Sequence, residues 1–220
     1  EPAKLVICCV FKNEAPYLKE WVEFHLKQGF DKIYLIDNRS IDNPEKVLQP
    51  YIENRKVAVS LSIAKGMNTF IQAKEYNALL GKIKEEQGAN CWAAYLDVDE
   101  YLFSVETPII AVINSFQGKK VGAVLANWLM FGTSGIKELD TSKSMISQLV
   151  NRAPLDHDEH RLSKPIAYIG NIYCFYQGPH LPICKGTSKH YYSNKTDHKK
   201  QSNSFIHSPL RINHYWYRSE

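Results

Sequence analysis

The acidic pair Asp97 and Asp99 is the part of the sequence best suited to chemistry. It follows an apolar run, residues 91–96, that is typical of a strand buried on both faces. In extended chain, residues two apart face the same side, so both carboxylates are expected in one crevice while Val98 faces the core. Carboxylates this close repel each other unless a cation joins them. Mg²⁺ and Mn²⁺ prefer oxygen ligands and keep positions open for phosphate, so the pattern predicts a metal–diphosphate site.

Three other interpretations of this pair make different demands on the surrounding sequence. A solvated acidic turn requires nothing further and stays open as an alternative. An EF-hand loop needs more oxygen ligands and a glycine at its sixth position, but Tyr101, Leu102 and Phe103 follow the pair instead. The aspartate-phosphatase motif follows the first strand of its fold, whereas this pair follows the fourth predicted strand.

Alternating strands and helices are predicted to position the pair. Apolar, β-branched runs predict strands at 4–11, 32–36, 57–61, 91–96 and 121–126. Helical spacing of apolar residues predicts helices from about residue 16 to Gly29, around 44–51 and over 69–87. This alternation indicates an α/β fold whose mostly parallel central sheet is flanked by helices. Residues after about 130 look irregular, aromatic and basic.

Polar residues follow three of the predicted strands at their carboxyl ends, where open parallel sheets bind ligands. They are Asn13 and Glu14 after the first strand, Asp37 and Asn38 after the second, and 97–100 after the fourth. We expect all three groups to line one crevice. No glycine-rich loop follows the first strand, so the sequence has neither a dinucleotide fingerprint nor a P-loop.

The histidines lie mostly in the last third of the chain, and His25 is the exception. His25 lies on the apolar face of the first predicted helix, where a packed core histidine is expected. His180 and His214 lie among apolar and aromatic residues, and each could complete a metal shell or bind phosphate. The cluster 156–160 is either an exposed charged loop or the place of a carboxylate base.

Positive charge is concentrated at the end of the chain. The net charge is +4, and residues 160–220 hold nine Lys and Arg but two Asp and Glu. A solvated lysine-rich loop, a phosphate-bearing ligand, an anionic membrane surface and nucleic acid are the interpretations open for such a segment. If this segment contacts a membrane peripherally, the residues that make the contact are Lys185, Lys189, Lys195, Lys199 and Lys200.

Composition excludes several classes of protein. Hydrophobic residues make up 44% and charged residues 23%, which rules out disorder, collagen and coiled coil as overall descriptions. No apolar run approaches the roughly 20 residues of a membrane helix. The five cysteines show no C-x-x-C spacing, which argues against a zinc knuckle. They favour a reducing compartment. We therefore expect a cytoplasmic protein, at most peripheral at the inner face of a membrane.

Several short motifs occur in a fixed order along nearly the whole chain. They are FKNE at 11–14, LKEWVEFH at 18–25, GFDKIY at 29–34, IDNRSID at 36–42, LDVDE at 96–100, WLMFGTSG at 128–135 and INHYW at 212–216. In this order they resemble the GT-A glycosyltransferases, and within them glycosyltransferase family 92. The resemblance implies one GT-A domain over 1–220, with a nucleotide-sugar half at 1–130 and an acceptor half at 131–220.

The resemblance also implies roles for residues of the donor half. Asp37 or Asn38 would contact the uridine of a UDP-sugar, with Asn13 and Glu14 nearby. Asp97 and Asp99 would hold ribose and a Mn²⁺ or Mg²⁺ ion, with Asp99 as the direct ligand. The side chains that would reach the metal or the diphosphate are His214, His180 and Lys164.

On the acceptor side, the resemblance implies that the stretch with Trp128, Gly132 and Ser134 shapes the site. The acceptor would be a glycan or lipid-linked glycan, and the donor sugar galactose or a similar hexose, in cell-surface polysaccharide or glycan synthesis. An inverting reaction needs a carboxylate base. Asp156 is the first candidate for it, followed by Asp158 and Glu138.

Two other classes of function stay open from the sequence. A nucleotide-sugar hydrolase or nucleotidyltransferase could use a similar crevice, although the latter usually carries a glycine-rich loop after its first strand. A non-catalytic module could bind glycans or nucleic acid, since aromatic and basic residues interleave at 189–192 and 215–218. No RRM, KH or zinc signature is present, so we expect no nucleic-acid partner.

Overall fold

Strands from both halves of the chain build one central sheet. The computed structural model describes residues 3–64, 66, 68–116, 120–200 and 205–218, and within these ranges nine strands form this sheet while two form a separate pair. The strands are β1 (Lys4–Phe11), β2 (Lys32–Asp37), β3 (Val57–Leu61), β4 (Cys91–Tyr95), β5 (Glu100–Ser104), β6 (Val121–Met130), β7 (Ser163–Tyr168), β8 (Ile172–Cys174), β9 (Ile183–Cys184), β10 (Lys189–Tyr192) and β11 (Leu210–His214).

Helices cover both faces of the sheet. They are α1 (Ala15–Lys27), α2 (Pro44–Glu53), α3 (Thr69–Gln87), α4 (Ile109–Asn114) and α5 (Met145–Gln148), with 3₁₀ turns at Asp158–Arg161, Ile169–Asn171 and His198–Lys200. Apolar residues of α1 and α2 pack on one face of the first strands, and those of α3 pack on the other. Burial on both faces explains why β1 is apolar from Leu5 onwards. Within the described ranges, no helix combines the length and the apolar character that crossing a bilayer requires.

The first four strands form the parallel part of the sheet in the order β3-β2-β1-β4. Their carboxyl ends therefore meet at one edge, as the predicted βαβ alternation requires. The predicted α/β class with a mostly parallel central sheet is confirmed. The predicted bounds of β1, β3 and α3 agree with the structure at both ends.

Strands from the second half complete the sheet beyond β4. β7 lies antiparallel between β4 and β6, β10 and β11 run parallel to β6, and β5 pairs antiparallel with β11 at the edge. The sequence did not predict β5 or β7 to β11, so the second half is more regular than expected. These strands have two to six residues, and β7 contains a proline, so they lack a recognisable period.

Two side chains of α1 fix the backbone of β5. The Trp21 indole donates to the Glu100 carbonyl at 2.8 Å, and the Leu102 amide donates to His25 Nε2 at 3.2 Å. Because Nε2 accepts, Nδ1 carries the proton and donates to the Trp21 carbonyl at 2.9 Å. Burial lowers the pKa of His25 to about 3. The expected core histidine is confirmed, and it holds the start of β5 beside the acidic pair.

Candidate functional site

A crevice of about 260 Å³ opens at the carboxyl ends of β1 and β4. We call it the donor crevice, after the role that the resemblance implies for its acidic residues. It lies where the sequence placed the ligand site, and it contains both members of the acidic pair. The residues that line it are Val10, Phe11, Lys12, Glu14, Gln72, Asp97, Val98 and Asp99.

The acidic pair lies on a turn, so the expectation of an extended strand was wrong. β4 ends at Tyr95, and the Glu100 amide donates to the Asp97 carbonyl at 3.1 Å, which closes the turn before β5 begins. Val98 is buried in the core, as expected. The turn forms because the chain reverses direction here to enter the antiparallel strand β5, which the sequence did not reveal.

Asp97 is held by a buried lysine and a glutamine. Lys164 Nζ lies 2.7 Å from Asp97 Oδ2 and 3.4 Å from Glu100 Oε2, while Gln72 donates to Asp97 Oδ1 at 2.8 Å. Lys164 and Glu100 are 1% and 0% exposed. Burial lowers the pKa of Lys164, but Asp97 and Glu100 outweigh it, so the pKa is raised and the ammonium stays charged. Burial also raises the pKa of Glu100.

Asp99 faces a histidine and an arginine. Its Oδ2 lies 3.5 Å from His214 Nε2 and 3.9 Å from the Arg218 guanidinium. Burial raises the pKa of Asp99, but His214 and Arg218 outweigh that effect and bring the pKa below its ordinary value. Burial likewise lowers the pKa of His214, and Asp99 more than reverses this. The His214 ring lies 4.3 Å from that of Trp128.

Arg218 and Gln72 are two site residues that sequence reasoning missed, and Arg218 carries a charge. Its guanidinium pairs with Glu14 and lies 4.2 Å from the centre of the Tyr17 ring. The available signal was the interleaving of aromatic and basic residues at 215–218, which we assigned to a binding module instead. Gln72 was also missed, because a polar residue in the first turn of a helix carries no signal of its own.

Asn13, which follows β1, and the polar residues after β2 are not among the residues that line the donor crevice. Asp37 Oδ1 accepts from the amide of Ser40 at 2.8 Å, and Asn13 Oδ1 accepts from the Ile41 amide at 2.9 Å. Asn38 is buried and donates to Ser62 Oγ at 3.0 Å. Their side chains tie neighbouring loops together, so of the three predicted groups the crevice contains Glu14 and the acidic pair.

A second hollow, of about 510 Å³, lies at the end of β6. We call it the acceptor pocket, after the role that the resemblance implies for part of its lining. It contains Gly132 and Ser134, which the resemblance assigned to the acceptor side, while Trp128 is 7% exposed and lies behind His214. The lining residues are Met130, Phe131, Gly132, Thr133, Ser134, Gly135, Asn151, Arg152, Ala153, His157, Glu159 and Tyr217. Tyr217 precedes Arg218, whose guanidinium pairs with Glu14 and lies near Asp99 of the donor crevice.

The candidate bases lie in different surroundings. Asp156 is exposed and lines neither hollow, whereas Glu159 of the same cluster lines the acceptor pocket. Asp158 pairs with Arg161 at 3.2 Å on the surface. Glu138 lines a separate hollow of about 270 Å³ against the start of α1.

The four expected metal ligands do not surround a single point. Within the described ranges, no three His, Cys, Asp or Glu side chains are arranged to hold an ion. Asp99 and His214 fit a metal ion as a pair of ligands, because they face each other at the crevice and both buried ring nitrogens of His214 lack a hydrogen-bond partner. Mg²⁺ and Mn²⁺ are commonly bound by one or two protein ligands together with substrate phosphates. His180 Nδ1 contacts the Ser163 carbonyl at 2.9 Å, which orients its ring near Trp128.

Solved structures that are similar to this chain include those of two bacterial proteins. S. aureus TarS 1-349 in complex with UDP-GlcNAc is 15% identical, with a TM-score of 0.43 over 92% of this chain and 62% of that one. Glucosyl-3-phosphoglycerate synthase from Mycobacterium tuberculosis, in complex with Mn²⁺ and UDP-glucose, is 13% identical, with a TM-score of 0.35 over 58% of this chain and 44% of that one.

Curated relatives with similar sequences are plant proteins. A glycosyltransferase family 92 protein of Ricinus communis is 27% identical over 143 residues, which is 63% of this chain and 25% of the relative. One of Oryza sativa subsp. japonica is 23% identical over 133 residues, 60% of this chain and 22% of the relative. The chain thus spans about a quarter of the length of these relatives. The sequence model of glycosyltransferase family 92 matches residues 3–217. As its motifs predicted, the chain belongs to glycosyltransferase family 92.

Proposed function

We propose that this chain transfers a hexose, such as galactose, from a UDP-sugar to a glycan or lipid-linked glycan, with inversion and with the help of a divalent metal. The observation that carries the proposal is the convergence of three carboxylates and three cations at the donor crevice. Glu14, Asp97 and Asp99 supply the negative charge, and Lys164, His214 and Arg218 supply the positive charge.

The cations of the donor crevice suit a diphosphate leaving group. Breaking the bond to the sugar leaves negative charge on the diphosphate, and fixed cations in a water-poor site stabilise that charge. Lys164 is fixed because it is fully buried between Asp97 and Glu100. A Mn²⁺ or Mg²⁺ ion held by Asp99 and by the neutral imidazole of His214 would take the place of the positive charge on that histidine and add Lewis-acid stabilisation of the diphosphate.

Binding of UDP, measured by calorimetry with and without Mn²⁺, tests the donor site. We expect binding that depends on Mn²⁺ and that falls at least about tenfold in Asp99→Ala, because that variant removes the carboxylate that would hold the ion, and interactions with charged groups are worth about 1.5–3 kcal/mol. The matched control is Asp140→Ala, which removes an exposed carboxylate that pairs with Lys143 away from the crevice. Metal-independent binding, or equal loss in both variants, contradicts the proposal.

Two further properties expected from the sequence stay predictions. They are a cytoplasmic location and contact of the basic C-terminal segment with an anionic membrane. Two of the lysines concerned have partners of their own: Lys189 pairs with Asp197 at 2.9 Å, and Lys185 donates to the Gly170 carbonyl at 3.1 Å.

A further inference from the structure

The side-chain amide of Gln72 is held from two sides at the donor crevice. Its Nε2 atom donates to Asp97 Oδ1 at 2.8 Å and to the Tyr76 hydroxyl at 3.2 Å. Tyr76 lies one helical turn further along α3, is fully buried, and packs its ring 4.8 Å from that of Tyr95 and 5.5 Å from that of Phe175. A glutamine side chain has two N–H donors, so both donors of Gln72 are used.

Asp97 decides which way the Gln72 amide points. A carboxylate only accepts hydrogen bonds, so turning the amide over would place its oxygen against the acceptor oxygen of Asp97 and break the bond between them. Asp97 is itself held in place, because Lys164 Nζ lies 2.7 Å from its other oxygen and is buried. The Gln72 Oε1 atom is therefore kept on the side away from Asp97.

The Oε1 atom of Gln72 is a fixed acceptor that a ligand can reach. Among the residues that the structure describes, none donates to it, because both hydrogen bonds of this side chain are made by Nε2. Gln72 is half-buried and lines the donor crevice, and Oε1 is not one of the buried polar atoms that lack a partner. An acceptor that is already oriented binds a hydroxyl group at little cost in side-chain ordering.

The two sides of the acidic turn face different parts of a UDP-sugar. Gln72 contacts Asp97, whereas Arg218 lies 3.9 Å from Asp99 and follows Tyr217 of the acceptor pocket. In a UDP-sugar the hexose and the ribose are bonded to opposite ends of the diphosphate. The hexose has to face the acceptor, which places it on the Arg218 side in the proposed function. The ribose then lies on the Gln72 side.

We propose that Gln72 Oε1 accepts a hydrogen bond from a ribose hydroxyl of the nucleotide, so that the donor crevice selects ribonucleotides over deoxyribonucleotides. This inference rests on the proposed function, since it names a contact of its donor. The second ribose hydroxyl is adjacent to the first and can donate to Asp97, whose carboxylate oxygens can each accept more than one bond. A site built to bind a hydroxyl discriminates against an analogue that lacks it.

Calorimetry in the presence of Mn²⁺ tests the inference with UDP, 2′-deoxy-UDP and 3′-deoxy-UDP. We expect the wild type to bind UDP about three- to tenfold more tightly than at least one of the deoxynucleotides, since one hydrogen bond is lost. In Gln72→Met, UDP affinity is expected to fall and this preference to disappear for one deoxynucleotide. If Gln72 merely positioned Asp97, the variant would lower the affinity for all three nucleotides by one factor and keep the preference.

Two further variants serve as controls. Gln49→Met removes an exposed glutamine that pairs with Glu53 at 2.9 Å on α2, and it should leave all three affinities unchanged. Tyr76→Phe keeps the packed ring but removes the hydroxyl that helps to orient the Gln72 amide, so part of the preference should be lost. The inference is overturned if the wild type binds both deoxynucleotides as tightly as UDP, or if the preference persists in Gln72→Met. A wild type that does not bind UDP contradicts the proposed function instead.

Discussion

Each carboxylate of the donor crevice has a cation of its own. Asp97 faces Lys164, Asp99 faces His214, and Glu14 pairs with Arg218. The first of these pairs includes a fully buried lysine, and removing one partner of a buried pair leaves an uncompensated charge that is strongly destabilising. The pairs therefore hold the acidic residues close together before any ligand arrives, and for Asp99 the paired cations also lower the pKa.

The catalytic base of the proposed reaction is also a single residue, and two carboxylates are candidates for it. Asp156 is the sequence-based candidate, but Glu159 is the carboxylate of that cluster that lines the acceptor pocket. We expect Glu159→Gln to lower turnover by about 10²–10⁴ with UDP affinity unchanged, because general base catalysis contributes a factor of that order. Asp156→Asn is the matched variant, measured with the same UDP-sugar and acceptor. Should Asp156→Asn lose the activity while Glu159→Gln keeps it, the base lies at Asp156 after all.

At the scale of elements, the strands and helices that the sequence predicted are those whose apolar residues form a clear local pattern. The strands β1 to β4 are continuous apolar runs, and α3 has a regular apolar face, so their existence and most of their bounds were predictable. β7 is a short strand with a proline between two partners distant in sequence, and nothing local identifies it. Its Lys164 entered the predicted site through the family resemblance alone.

The acidic turn could not be predicted for the same reason, because it depends on residues distant in sequence. Its residues and the burial of Val98 were predicted, but the turn itself depends on β5, which pairs with a strand more than 100 residues later. Arg218 reaches Glu14 across 204 residues of sequence, a contact that no local pattern indicates. The acidic half of the site was therefore predictable from local pattern. Among the cations, His214 and Lys164 were named as candidates, whereas Arg218 depends on long-range topology.

The contact between α1 and β5 makes stability depend on pH. His25 has an ordinary pKa of 6.5 when unfolded and about 3 in the fold. Below pH 6.5 the unfolded chain takes up a proton that the native state does not, so stability present above that pH is lost as the pH falls towards 3. The contribution is about 1.4 kcal/mol per pH unit.

Urea unfolding of the wild type and His25→Gln measures this effect. Glutamine offers one donor and one acceptor but does not titrate. Between about pH 7 and about pH 4.5, we expect the wild type to lose about 2–3 kcal/mol more unfolding free energy than the variant. His157→Gln changes an exposed histidine and should follow the wild type. Parallel pH profiles for wild type and His25→Gln would show that His25 is not the titrating group.

At the scale of the whole molecule, segments far apart in the sequence meet beside the donor crevice. Glu14 follows the first strand, and Arg218 lies four residues beyond the last strand, which itself lies between β5 and β6. The C-terminal segment thus crosses from the acceptor pocket, through Tyr217, to the carboxylates of the donor crevice. Because Arg218 lies near Asp99, it would compete with the proposed metal ion for that carboxylate and would also offer a positive charge to a diphosphate.

These two effects of Arg218 have opposite signs, so Arg218→Gln separates them. Without the guanidinium, Glu14 and Asp99 lose a competing cation, and we expect Mn²⁺ alone to bind several-fold more tightly. UDP in the presence of Mn²⁺ should bind about tenfold more weakly, since one charge-assisted contact to the diphosphate is lost. Calorimetry of both titrations on the wild type, Arg218→Gln and Arg161→Gln measures the two changes, and Arg161→Gln should alter neither. If both affinities of Arg218→Gln move in the same direction, Arg218 does not act at once as competitor of the metal and partner of the diphosphate, and its contact with Glu14 is structural.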